Sequence, residues 1–381
     1  MKNKIYLHEP AKLSINDNLI QKEIKRNNLV IGNNLDNFRN KIVQINKSKF
    51  CSLVSSGTAA LHLSLFCNQL DENCEVLLPA ISFIASLNAI LYTKAKPIFF
   101  DVDSNLNLKF IDICNFLEKN TFQDRNNRCI NSKTKKHIKC ILLIHVFGNI
   151  IDYSHLLKIS KKKNISIIED AAESFGSYVK IKNKKFYSGS FGRFACFSFN
   201  GNKIITSAGG GAVLSNSKKD QQLIDYYSNQ AKANPFTFQH NDIGFNYRLS
   251  NIHATLGFNQ ASSFYDIITK KRIIYDKYKK YIDKDLFEII KYDEGANYWL
   301  IVIKIFKEID TLKLTKHMSF KNIEIRPVWF PLHLQKYAKK YQKYKIKNAN
   351  KVHKKYICLP SSISLTESKI KYICKTLRDY F

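Results

Sequence analysis

One lysine stands apart from the many basic residues of this chain. Lys203 lies in FSFNGNKIITSAGGGAV (residues 197–213), between Phe197 and Phe199 on one side and Ile204 and Ile205 on the other. Three glycines, 209–211, follow shortly after it. Other lysines fall mostly in polar runs such as SKTKKHIK and SKKKN, where solvation accounts for them. An amine in a niche of low polarity has a lowered pKa and becomes a nucleophile towards carbonyls. Consecutive glycines let backbone and a flat ligand approach closely. A snorkelling lysine in a hairpin turn would give the same local pattern, so the surrounding chemistry has to decide.

Three further features supply that chemistry. Ser56, Gly57 and Thr58 precede the helix-like TAALHLSLFCNQL. The free N–H groups of a helix start, with hydroxyls and a glycine, suit a phosphate, although a plain N-cap reads the same way. No Walker lysine follows, which argues against a P-loop. The strand-like ISIIEDAAESFG ends in Glu169 and Asp170. Asp170 therefore falls at the carboxyl end of a buried strand, where it could hold a protonated ring nitrogen or a metal, or cap the next helix. Phe83, at the end of PAISF, could stack on a planar ring or belong to the core. Each feature alone is ambiguous. In this order they provide a phosphate cradle, a stacking aromatic, a carboxylate for a pyridinium and a carbonyl-directed lysine, which are the protein's contributions to pyridoxal phosphate (PLP) chemistry. Lys203 would then also move protons as a general base.

These residues need a scaffold that gathers strand ends. The first two thirds of the chain alternate buried-strand runs with helical ones: KFCSLVSSG, EVLLPAISF, AKPIFFDVD, IKCILLIHVFG, ISIIEDAAESFG, FACFSFN and GGAVLSN are the strand candidates. Strands separated by helices imply an α/β fold with a mostly parallel sheet covered on both faces. From about residue 220 helical patterns dominate, followed by a smaller α+β region with NYWLIVIKIF and IEIRPVWFPLH and a final helix in TESKIKYICKTLRDYF. The expected division is a large domain over residues 1–255 and a small C-terminal domain over 256–381.

Composition sets the bounds. The 381 residues are 45% apolar and 13% aromatic, enough for two globular domains. The formal charge of +30 comes mainly from lysines scattered along the chain among Asn and Ile. No Arg-rich stripe or finger pattern accompanies it, so neither nucleic-acid binding nor a metal site is expected. The nine cysteines are odd in number and form no C-x-x-C pair, which suggests reduced thiols and a cytoplasmic protein. The N-terminus lacks an apolar leader core, and VLLPAISFIASLNAILY is too interrupted for a membrane span.

The segments SSGTAALHLSL, PAISFIASLNAI, IHVFGN, IEDAAESFGS, GSFGRFACFSFNGNKIITSAGGGAVLSN, DIGFNYRLSNIHATLG and IEIRPVWFPLH together resemble the DegT/StrS-type PLP-dependent sugar aminotransferases, over nearly the whole chain. The resemblance implies a fold-type I aminotransferase with a seven-stranded sheet and a homodimer with shared active sites. It assigns Lys203 as the Schiff-base lysine, Asp170 to the pyridine nitrogen and Glu173 to the 3′-oxygen. Phe83 would stack on the ring, and Gly57, Thr58 and Ser198 would bind the phosphate. Asn246, assisted by Arg248, would reach the phosphate bound by the partner subunit. Arg326 and His333 would lie near the sugar nucleotide or the amino donor. The NGNK stretch at 200–203 looks most like enzymes that aminate C4 of UDP-4-keto-6-deoxy-N-acetylglucosamine with L-glutamate, in bacillosamine and legionaminic acid synthesis. The alternatives are a GDP-perosamine-type 4-aminotransferase, a dTDP-sugar 3-aminotransferase and, from another class, a non-catalytic PLP-binding regulator. The PLP-dependent dehydratase branch replaces the lysine that this chain keeps. Ala208 departs from the family pattern, which usually has glycine there, with a slightly tighter turn as the expected result.

Overall fold

All seven strand candidates become strands of one sheet. They are β1 (Phe50–Val54), β2 (Cys74–Pro79), β3 (Lys96–Phe100), β4 (His137–Ile144), β5 (Ser166–Asp170), β6 (Phe194–Ser198) and β7 (Gly211–Ser215). The computed structural model describes residues 4–11, 17–234 and 236–381. The strands lie in the order β1-β7-β6-β5-β4-β2-β3, and only β7 runs antiparallel to its neighbours. Side chains alternate between two cores: Val76, Leu78, Leu142 and Ile168 face one, and Leu77, Ile141, Leu143 and Ile167 the other. A sheet buried on both faces explains the near-continuous apolar runs.

Register places the site. Asp170 pairs with Ile144 of β4 and with Cys196 of β6, so the carboxyl ends of three parallel strands meet. Because β7 runs the other way, its first residue enters at this same edge. Gly211 pairs with both Ser198 and Val54, and Gly210 bridges to Ser56. The glycine run thus lies against the turn that starts α2 (Gly57–Cys67), which follows α1 (Asn34–Asn46) in the chain. A Cβ on Gly211 would stand 2.6 Å from Phe197 O and from Ser56 backbone atoms. Close backbone packing, and not only room for a cofactor, demands glycine there.

The remaining helices used below are α3 (Ile84–Tyr92), α4 (Asn251–Ser262) and α5 (Phe264–Tyr281). A second, antiparallel sheet holds β8 (Phe287–Ile289), β9 (Ile301–Ile305), β10 (Arg326–Pro327) and β12 (Tyr356–Leu359) in the order β8-β9-β12-β10. Between β10 and β12 the chain returns to the main sheet, where β11 (Gln342–Tyr344) pairs in parallel with β3 as an eighth strand in line. Residue 255 falls inside α4. The first described residues lie against the C-terminal part: Ile5 bridges Ile323, Ser361 N–H donates to Leu7 O (2.8 Å), and Glu9 N–H donates to Ser362 Oγ (2.8 Å). All nine cysteines are buried and unpaired. No helix among the described residues is long and apolar enough to cross a membrane.

The turn after β4 joins the two sheets. Gly148 sits at φ +88°, and a Cβ there would lie 1.8 Å from Asn297 Oδ1. The same oxygen accepts from Trp299 N–H (2.9 Å), while Asn297 Nδ2 donates to Glu173 O and Phe175 O (2.9 and 3.1 Å). Gly148→Ala therefore combines positive-φ strain with a clash against a fixed side chain. We expect it to destabilise the fold by about 3 kcal/mol or more in chemical denaturation. Gly201→Ala, whose Cβ would meet nothing within 4 Å, should change stability by less than about 0.5 kcal/mol.

Candidate active site

Asp170 forms the floor of a cavity of about 340 Å³ at the carboxyl edge of the sheet. Ser86 Oγ, on α3, donates to Asp170 Oδ2 at 2.6 Å and is itself 2.8 Å from Ser82 Oγ. Ala172 N–H donates to Oδ1 at 3.2 Å. Burial pushes the Asp170 carboxyl above its ordinary range, and the Ser86 hydrogen bond pulls it back. Strand alternation turns its neighbour away. Glu169 accepts N–H bonds from Gly189, Phe191 and Gly192 (2.8, 2.7 and 2.6 Å) and from His145 Nε2 (2.9 Å). Of the two adjacent acids, only Asp170 lines the cavity.

Glu173 follows one short turn later. Its Oε2 accepts from Phe147 N–H at 2.7 Å, and its Oε1 lies 3.6 Å from Lys203 Nζ. Burial raises its carboxyl to about 7, with the Lys203 amine the chief opposing influence. Lys203 Nζ also stands 4.2 Å from the centroid of the Trp299 ring, a cation–π distance. Trp299 Nε1–H donates to Asn202 O at 2.5 Å, which ties the ring to the lysine's own turn. The amine, the two carboxylates and the aromatic wall thus share one space.

Opposite them, Ser56 is the N-cap of α2, accepting from Ala59 N–H at 3.0 Å. The cap and anion readings of SSGT are therefore compatible. The Ser56 hydroxyl caps the helix, while the first N–H groups of α2 have no intrahelical acceptor. A Cβ on Gly57 would fall 2.7 Å from Ser198 Cβ, so glycine is what lets the helix start and the Ser198 hydroxyl converge. Gly57, Thr58 and Ser198 all line the cavity. This is an oxygen- and N–H-rich cradle at one end, a buried carboxylate at the floor and an amine at the other end, and it fits PLP in charge and chemistry. Phe83, 53% exposed, caps the mouth at the start of α3.

Other expected residues lie elsewhere. His333 is buried with Nε2 2.8 Å from Asn350 Oδ1 and its ring 6.3 Å from that of Phe99. It lines neither this cavity nor the adjoining one, because Pro331 starts a tight 3-10 turn that carries the side chain into the core. Arg326 is exposed, pairs with Glu324 Oε1 at 2.8 Å, and lines a second cavity of about 440 Å³ that shares Asn202, Trp299 and Trp329 with the first. Asn246 and Arg248 are exposed and absent from the lining of the cavity in a single chain. Ala208 sits at φ +64°, in the left-handed region that favours glycine, so the departure strains the turn backbone. Contributors outside the expectation include His145, Trp299 and Trp329 in the cavity wall and Ser86 beneath Asp170. The chain has two tryptophans and both line the site, a rarity that could have singled them out.

Residues 14–378 match the DegT/DnrJ/EryC1/StrS aminotransferase family. The chain is 36% identical over 353 residues to a GDP-perosamine synthase of Escherichia coli O157:H7, covering 92% of this chain and 91% of that one. It is 27% identical over 369 residues to a UDP-4-amino-4,6-dideoxy-N-acetyl-beta-L-altrosamine transaminase of Campylobacter jejuni, covering 94% and 92%. In structure it is similar to Helicobacter pylori PseC, an aminotransferase involved in the biosynthesis of pseudoaminic acid, with a TM-score of 0.87 and 22% identity over 100% of this chain and 99% of that one.

The raised Glu173 carboxyl has a measurable consequence. A carboxyl whose folded pKa is about 7 against an ordinary 4.5 contributes stability present below the lower value and lost as pH rises through the upper one. The cofactor-free protein should therefore gain stability on Glu173→Gln at pH 8, by up to about 3 kcal/mol. The gain should fall below about 1 kcal/mol at pH 5 and vanish by about pH 4, as read from paired denaturation curves across pH.

Proposed function

The chain belongs to the DegT/DnrJ/EryC1/StrS aminotransferase family, and on that premise we propose that it moves the amino group of L-glutamate to C4 of a GDP-linked 4-keto-6-deoxy sugar. As a family member it is a PLP-dependent sugar-nucleotide aminotransferase; the donor, the carbon and the nucleotide are the proposed part. The observation that carries the chemistry is the convergence of Lys203, Asp170, Glu173 and the Gly57–Thr58–Ser198 cradle on one cavity. The GDP-linked sugar is favoured by the near full-length similarity to a GDP-perosamine synthase. The UDP-linked N-acetyl sugar is the second reading, supported by Asn200 and Asn202 of the NGNK stretch in the cavity wall and by the altrosamine transaminase relative.

When bound, PLP supplies an electrophilic carbonyl and a ring that accepts electron density. In this reading Gly57, Thr58 and Ser198 would hold its phosphate, Phe83 would cover the ring, Asp170 would keep a proton on the ring nitrogen and Glu173 would serve the ring oxygen. Lys203 Nζ takes the proton from Cα of glutamate in the first half-reaction and returns one to C4 of the sugar in the second. Asn246 reaches the phosphate held by the partner subunit in a homodimer. Its exposure, and that of Phe236, Phe238 and Ile243 nearby (92%, 70% and 85%), support a partner surface. The buried free thiols support a reducing, cytoplasmic setting.

A coupled assay with glutamate and GDP-, UDP- and dTDP-linked 4-keto-6-deoxy hexoses tests this. We expect a 4-amino product, with the highest kcat/KM for the GDP sugar and a loss of about a thousandfold or more in Lys203→Ala. A 3-amino product, or full turnover by Lys203→Ala, would overturn the proposal.

A further inference from the structure

The second cavity is lined by a histidine, His8, whose ring has no hydrogen-bond partner among the described residues. His8 reaches it from the N-terminal segment, whose neighbours on both sides are fixed. Leu7 N–H donates to Glu324 Oε2 (3.4 Å), Leu7 O accepts from Ser361 N–H (2.8 Å), and Glu9 N–H donates to Ser362 Oγ (2.8 Å). Neither ring nitrogen of His8 has a hydrogen-bond partner among the described residues, and of the two Nδ1 is buried while Nε2 is not. Burial, then the Lys271 and Lys203 amines, hold the imidazole well below its usual range. A neutral ring offers one donor and one acceptor. Buried polar atoms are seldom left unpaired, since each lost hydrogen bond destabilises.

The cavity around it has the character of a carbohydrate subsite. Trp299 and Trp329 supply flat apolar walls, and His8, Asn202, Glu324 and Arg326 supply polar groups. Aromatic surface with a few placed hydrogen-bonding groups is how small polar ligands are oriented. Asn202, Trp299 and Trp329 belong to this cavity and to the cofactor cavity alike, and the Lys203 amine stands on the Trp299 ring between them. A hexose lodged here would lie beside the amine that moves the proton.

We propose that His8 is a sugar-binding residue, pairing through the ring nitrogen left open to the second cavity, Nε2, with a hydroxyl of the nucleotide-linked hexose held there. The inference rests on the reading of the chain as a sugar-nucleotide aminotransferase of a 4-keto sugar. It makes the N-terminal segment, which the second sheet carries, part of the acceptor site.

The test is calorimetric titration of the PLP-loaded, glutamate-free enzyme with whichever of the GDP- and UDP-linked 4-keto-6-deoxy hexoses the wild type aminates. Without a donor the enzyme cannot aminate the sugar, so the titration reads binding alone. His8→Ala should weaken Kd for the sugar about tenfold or more. His8→Gln, which keeps a polar group near the Nε2 position, should recover part of the loss. The glutamate half-reaction, followed by the cofactor's absorbance, should stay within about twofold of wild type and also shows that the variants hold cofactor. Unchanged sugar binding in His8→Ala, or an equal loss in the glutamate half-reaction, overturns the assignment of His8. A wild-type enzyme that aminates no keto sugar overturns the underlying reading instead, and the assignment falls with it.

Discussion

Three carboxylates buried within five residues at the end of β5 organise this structure. Glu169, Asp170 and Glu173 are all nearly inaccessible to water. A buried ionised carboxylate is strongly unfavourable unless hydrogen bonds and opposite charge surround it. Each of the three therefore recruits a different part of the chain. Glu169 gathers the turn at 189–192 and the His145 ring. Asp170 gathers α3 through Ser86. Glu173 gathers the turn after β4 through Phe147 N–H, and the Lys203 loop through its amine. The loops that wall the cavity are held at their carboxylate ends, so the acids set the geometry before any cofactor binds.

The same constraint separates structural from chemical roles among similar residues. Glu169 is satisfied by four donors and faces away from the cavity. Asp170 retains hydrogen-bonding capacity towards it. Glu173 is balanced between burial and the Lys203 amine, which is why its carboxyl titrates near neutrality. On the far side, the antiparallel β7 returns its glycines against the Ser56–Thr58 turn, and Gly57 lets α2 begin against Ser198. Phosphate-type donors and the Lys203 amine are thereby held on one sheet edge, as expected where parallel strands end.

Much of this was legible in the residues. The seven strands announced themselves as apolar runs because both faces of the sheet are buried. Lys203, Asp170, Glu173, Ser198, Gly57, Thr58 and Phe83 converge on one cavity because each stands at a strand end, at a helix start or in the loop just after a strand, which local pattern reveals. Contacts made by tertiary packing were not legible. Ser86 reaches Asp170 from another helix, and Trp299 reaches Lys203 across nearly a hundred residues. In IEIRPVWFPLH the tryptophan faces the site while His333 turns into the core after Pro331, a reversal that no periodicity signals. The eighth strand, three residues in a lysine-rich run, was too short to register. The N-terminal segment acquires its place only through the second sheet.

The central claim is that Lys203 is the residue that bonds PLP. The direct measurement is borohydride reduction of the PLP-loaded protein, followed by peptide mapping by mass spectrometry. The account predicts a phosphopyridoxyl group on the peptide containing Lys203, at close to one per chain, and on no other lysine to a comparable extent. A label concentrated on a different lysine, or scattered over the surface lysines with Lys203 unmodified, would contradict it.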